Sequence, residues 1–156
     1  MTHPRETAAL PLAATGLQRP QFYPSRPFAA NGAPLKLQLA TSTGLKVFTA
    51  HGAGYVAVGG ERFEQPLVVT PDQVLTDWPA RDFTGLDESH FAYFLDLRPE
   101  VLLLGTGPQL RFPHPRLYRQ LTDARIGVES MNTPAACRTY NILVEEGRRA
   151  VAAILL

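Results

Sequence analysis

A single cysteine, Cys137, leaves no partner for an intrachain disulfide and no basis for a cysteine-rich zinc site. Histidine is equally sparse: His3, His51, His90 and His114 are too scattered for metal-ligand spacing, and no H-x-x-x-H pair occurs. No metal site is therefore expected. No run approaches the roughly 18 consecutive apolar residues of a membrane-spanning helix. An excess of one charge is missing too, since 15 basic and 14 acidic residues leave +1 with no dense basic run. Nucleic-acid binding by phosphate neutralisation is not expected from that balance. Of the 15 basic residues only Lys36 and Lys46 are lysine, an arginine bias that reads as a GC-rich bacterial genome. What is present is apolar, 45% hydrophobic against 19% charged, and 156 residues suffice for one domain with a real core.

The chain divides near residue 34. Six of its 14 prolines (Pro4, Pro11, Pro20, Pro24, Pro27, Pro34) fall in the first 34 residues, where apolar residues have no period. Residues 1–34 read as a flexible proline-rich tail and 35–156 as a single domain. Pro11 interrupts the apolar stretch 8–17, so it is a poor secretory h-region, and the prolines break the amphipathic helix of a mitochondrial presequence. The expected location is cytoplasmic.

From 35 to 78 the pattern is that of a strand meander. Leu35, Leu37 and Leu39 alternate with Lys36 and Gln38, the period of a half-buried strand. Segments 45–49 and 55–58 flank Gly52-Ala53-Gly54 as a hairpin, Gly59-Gly60 turns the chain again, and strands follow at 66–69 and at Val74-Leu75. The second half changes grammar. Phe91, Phe94 and Leu95 predict a helix over 87–97 with Asp87 as N-cap and Pro99 as its stop. The unbroken apolar run 101–104, bounded by Gly105, predicts a strand buried on both faces. A second helix starts near His114-Pro115 with Leu117, Tyr118, Leu121 and Ala124 on one stripe, and 126–131 forms a further strand. A third helix has Thr133 as N-cap, Pro134 at its first position and Gly147 past its end; Ala136, Tyr140, Leu143 and Val144 share a face. An apolar strand over 151–156 completes a βαβαβ half that follows a strand-rich N-terminal half.

Candidate chemistry gathers where strands 101–105 and 126–131 end, the place where ligands collect in open α/β sheets. The candidates there are Gly105, Thr106, Gly107, Glu129, Asn132, Thr133, Cys137 and Asn141. A strand feeding Gly105-Thr106-Gly107 could present backbone N–H groups to a phosphate. The dinucleotide fingerprint nevertheless fails, because Leu110 stands where the third glycine belongs and Pro108 lacks an N–H. No Gly-Lys-Ser/Thr follows, which excludes a P-loop. Gly105 and Gly107 then read as turn glycines with positive φ, and the Thr106 side chain has no assigned role. Glu129 could bind a ribose or be a solvated strand-end charge. Cys137, in the first helical turn, could be an activated thiol but borders the apolar face and has no base at recognisable spacing. Asn141 could line the cleft or tie helix to loop. No carboxylate pair suits acid–base catalysis, and no cofactor is indicated.

Four segments in order carry a family resemblance: residues 101–107 (VLLLGTG), 127–131 (GVESM), 133–141 (TPAACRTYN) and 146–148 (EGR) before an apolar strand. Over 35–156 the chain resembles the small domain-of-unknown-function family to which a mitochondrial respiratory complex I assembly factor belongs. The resemblance implies an α/β fold of three layers, β+α/β/α, around a central mixed sheet whose last strand runs against the others. It also implies a non-catalytic interaction or assembly module with a protein partner. The alternative is a small-ligand or nucleotide-binding protein or enzyme that uses the strand-end cleft.

Overall fold

The structure, a computed structural model, describes residues 44–156; the proline-rich segment and the strand expected at Leu35–Leu39 lie outside the described residues. Three short antiparallel strands come first: β1 (Phe48–Gly52), β2 (Tyr55–Val58) and β3 (Glu61–Phe63), in spatial order β1-β2-β3. Gly52 belongs to β1 and faces Tyr55, so the hairpin turn is Ala53-Gly54, with Gly54 at φ +72°. A second sheet has five strands. These are β4 (Leu67–Val69), β5 (Val74–Leu75), β6 (Val101–Thr106), β7 (Gly127–Met131) and β8 (Ala150–Leu155), ordered β5-β4-β8-β6-β7.

Strand β6 sits inside this sheet, and its leucines are buried on both faces as the apolar run predicts. Successive side chains leave on opposite sides. Leu103 joins Ala150, Ala152 and Ile154 under the three-stranded sheet and α3 (Thr133–Glu145). Leu102 and Leu104 join Val151, Ala153 and Leu155 on the other side, under α1 (Glu88–Ala92) and α2 (Arg119–Asp123). The three-layer β+α/β/α architecture follows from that alternation.

The direction of the last strand differs from expectation. β8 runs parallel to β6, with Val101 opposite Ala150 and Leu104 opposite Ala153. Helix α3 carries the chain back along the sheet, so β8 must start at the end where β7 started. The strand that opposes its neighbours is β4, antiparallel to both β8 and β5.

Helix boundaries also shift. The expected helix over 87–97 is α1 followed by a 3₁₀ turn, Tyr93–Leu95. Asp87 caps it, accepting from Ser89 N–H at 2.8 Å and His90 N–H at 3.2 Å, while His90 Nδ1 accepts from Asp87 N–H at 3.1 Å. The second helix begins at Pro115 as a 3₁₀ turn, Pro115–Tyr118, and becomes α-helical only in α2; Ala124 lies exposed beyond it. In α3 the N-cap is Asn132, not Thr133. Its Oδ1 accepts from Ala135 N–H at 2.9 Å, which makes Pro134 the second helical residue.

Candidate functional site

Thr133 stands one position inside the helix because its hydroxyl is engaged elsewhere. Thr133 Oγ1 donates to the Leu155 carbonyl at 2.6 Å and accepts from Gly107 N–H at 3.0 Å, joining the ends of β8 and β6. The Gly107 carbonyl accepts from Thr133 N–H at 2.8 Å. Helix α3 thus opens with no spare donor: Thr133 N–H serves Gly107, Pro134 has none, and Ala135 N–H is capped by Asn132.

Thr106, expected to have no side-chain role, is a second junction. It is buried; its Oγ1 accepts from Arg111 N–H at 3.0 Å and donates toward the Gln109 carbonyl at 2.6 Å, with the Met131 carbonyl at 3.1 Å. Those contacts fold the 107–111 loop back on the β6 and β7 ends. The two glycines differ in kind. Gly107 has φ +89°, where a side chain is strained, yet its neighbourhood has room for a Cβ. Gly105 is a strand residue outside the left-handed region, contrary to the turn expectation. A Cβ there would lie 2.8 Å from Ile154 Cδ1, 3.0 Å from Thr133 Oγ1 and 3.2 Å from Ala136 Cβ. Gly105 lets α3 approach the sheet.

The remaining candidates scatter. Glu129 lies mid-strand opposite Leu103, exposed on the edge strand β7, rather than at the strand end. Cys137 is buried at 1% exposure, and burial pushes its thiol up to about 12. Asn141 is a clip: its Oδ1 accepts from Phe48 N–H and its Nδ2 donates to the Phe48 carbonyl, both at 2.8 Å.

Two cavities flank this framework. One of about 470 Å³ lies between the β1–β2 turn and the strand ends, against His51, Gly107, Pro108, Thr133, Pro134 and Leu156. Another of about 370 Å³ lies between β1 and α3, against Thr49, His51, Cys137, Arg138 and Asn141. His51 borders both, and so shares the smaller cavity with Cys137, a neighbourhood that no sequence spacing indicates. Pro134 and Arg138 also enter here without a sequence signal, because their partner surface is β1, some 80 to 90 positions earlier. No helix among the described residues is long and apolar enough to cross a membrane.

Fold and site together define a small three-layer α/β domain whose strand-end polar groups are joined to one another beside a strand–helix groove. A family described as "Protein of unknown function (DUF498/DUF598)" matches residues 48–155, and the chain belongs to it. The NADH dehydrogenase [ubiquinone] 1 alpha subcomplex assembly factor 3 of Bos taurus is 31% identical over 121 residues, 76% of this chain. The chain covers just under two thirds of that protein, 65% of its length. The "13 kDa major membrane protein" of Francisella tularensis is 32% identical over 94 residues, 60% of this chain and 76% of that protein. A crystal structure of a Bordetella parapertussis protein, 40% identical, superposes with a TM-score of 0.68 over 73% of this chain and 98% of that one.

Proposed function

We propose that this chain is a non-catalytic protein-interaction module, formed by residues 35–156, that serves the assembly of a respiratory membrane complex in a bacterium and works from the cytoplasm. The observation that carries the reading is the internal engagement of the strand-end donors. The donors of Gly107, Arg111, Thr133 and Ala135, which a phosphate would need, all serve internal acceptors. The buried Cys137 thiol, held protonated by burial, is likewise unsuited to nucleophilic attack at neutral pH. Similarity to the bovine assembly factor supports the assembly role, and the name of the Francisella relative suits a protein that meets membranes.

The test is deletion of the gene in the source organism, followed by native electrophoresis of its NADH dehydrogenase complex. Loss of the assembled complex, restored by the wild-type gene, is expected; unchanged assembly would contradict the reading. A second reading, a small-ligand site, is favoured by the 470 Å³ cavity. A thermal-shift screen of nucleotides and metabolites separates the two, since a ligand at 100 times its Kd stabilises by about 2.7 kcal/mol.

A further inference from the structure

Helix α3 lies beside β1, the outer strand of the three-stranded sheet, and one clip joins them. Phe48 turns both its N–H and its C=O away from β2, and the Asn141 carboxamide answers both at 2.8 Å. Meeting the two outward groups of one residue in this way is what a neighbouring β-strand would do. Beyond the clip no described strand pairs with this edge. The hairpin closes on Gly52 and Tyr55 around a two-residue turn, which makes them the pair that exchanges hydrogen bonds. The next pair, His51 and Val56, therefore points its N–H and C=O outward. Among the described residues, no hydrogen bond reaches that outward backbone of His51. Thr49, Ala50, His51 and Gly52 are all exposed.

Past the clip, open space separates this edge from α3. It contains the cavities of about 370 and 470 Å³ that meet at His51. Among the described residues Arg138 is exposed, no Asp or Glu side chain lines either cavity, and no ion pair engages Arg138. The larger cavity is walled by Pro108, Pro134 and Leu156.

We propose that the groove between β1 and α3 takes an extended segment of a partner protein as an added strand. The segment pairs with the His51 backbone, sets an acidic side chain against Arg138 and places an apolar side chain in the larger cavity. This rests on the interaction-module reading and names its docking site. Main-chain pairing supplies affinity, and the two flanking side chains supply selectivity.

The test selects phage-displayed random peptides on the full-length protein and measures the affinity of the enriched peptides by fluorescence polarisation. Peptides with an acidic and an apolar residue in one extended run are expected to shift the amide resonances of residues 49–52 and of α3. His51→Pro deletes one outward N–H at an edge, where proline is tolerated, and should weaken binding at least tenfold at an unchanged melting temperature. Arg138→Glu should do the same, and a peptide whose acid is changed to lysine should bind that variant again. Arg138→Glu with its charge-swapped peptide decides the matter if His51→Pro does not fold. The proposal is overturned by an absence of enriched peptides, by equal binding to both variants, or by a dimer in light scattering that His51→Pro dissolves. In the deletion strain, full restoration of assembly by both variants would overturn the groove and leave the module reading intact. A deletion strain without any defect would instead overturn the module reading, and the peptide affinities would still decide the groove.

Discussion

Replacing Thr133 by valine isolates the junction between α3 and the sheet. Valine keeps the branched shape and removes only the hydroxyl, so the surrounding packing survives. Two buried groups then lose their partner: Gly107 N–H, now 3.0 Å from Oγ1, and the Leu155 carbonyl, now 2.6 Å from it. An unsatisfied buried donor or acceptor costs about 1–3 kcal/mol. The carbonyl, with two lone pairs, sits at the low end, so the sum is about 2–4 kcal/mol. Urea denaturation should show a lower midpoint at an unchanged m-value, the pattern of lost stability without altered compactness. Thr133→Ser, which keeps the hydroxyl, should recover most of the difference. A midpoint for Thr133→Val within error of wild type would refute the claim that this hydroxyl joins the ends of β6 and β8.

Further outcomes follow from the neighbouring residues. Gly105→Ala should cost about 1–3 kcal/mol through overpacking against Thr133 and Ala136, whereas Gly107→Ala, with room for the methyl, should cost about 1–2 kcal/mol through its φ alone; thermal melts of the two check this. Thr106→Val should destabilise by about 1–3 kcal/mol and speed exchange of the Arg111 amide, measured by NMR. Tyr140→Phe should be neutral or stabilising, because the buried Tyr140 hydroxyl has no hydrogen-bond partner among the described residues; a loss above about 1 kcal/mol would show that the hydroxyl does have one. Cys137 should resist alkylation until the protein unfolds. Its folded pKa is raised to about 12, so its contribution to stability is complete below the unfolded thiol's pKa and is lost as pH rises from there toward 12. Cys137→Ala should flatten the alkaline fall in melting temperature over that window.

Elements with strong apolar period were legible from residues alone. The leucines of β6, the Asp87 cap and the Pro134–Gly147 punctuation of α3 fall within a residue or two of the structure. Strand β3 was not, since Glu61-Arg62-Phe63 has one half-buried apolar residue and no alternation to read. The Thr133 cap was misplaced because two adjacent residues, Asn132 and Thr133, can both cap; which one does depends on Gly107 and Leu155, distant in sequence. The direction of β8 came from the family resemblance, and the parallel pairing with β6 corrects it. Around the site, residue type suggested that Gly105, Thr106, Gly107, Asn132 and Thr133 stand near one another. It could not say that Gly107 and Thr133 bond to each other, or that Thr106 takes Arg111 and Met131, because those bonds depend on how the loop and the strand ends meet. The groove was invisible for the same reason: Phe48 and Asn141 are 93 positions apart.

Whether the strand-end donors belong to the fold or await a ligand is tested most directly by native-state hydrogen exchange at Gly107, Arg111, Thr133 and Ala135. All four amides are expected to exchange only through unfolding or large-scale opening, with protection unchanged by added nucleotides. Rapid exchange at Gly107 and Arg111, slowed when a nucleotide is added, would contradict the claim that these groups are engaged internally and would return the cleft to the ligand-binding reading.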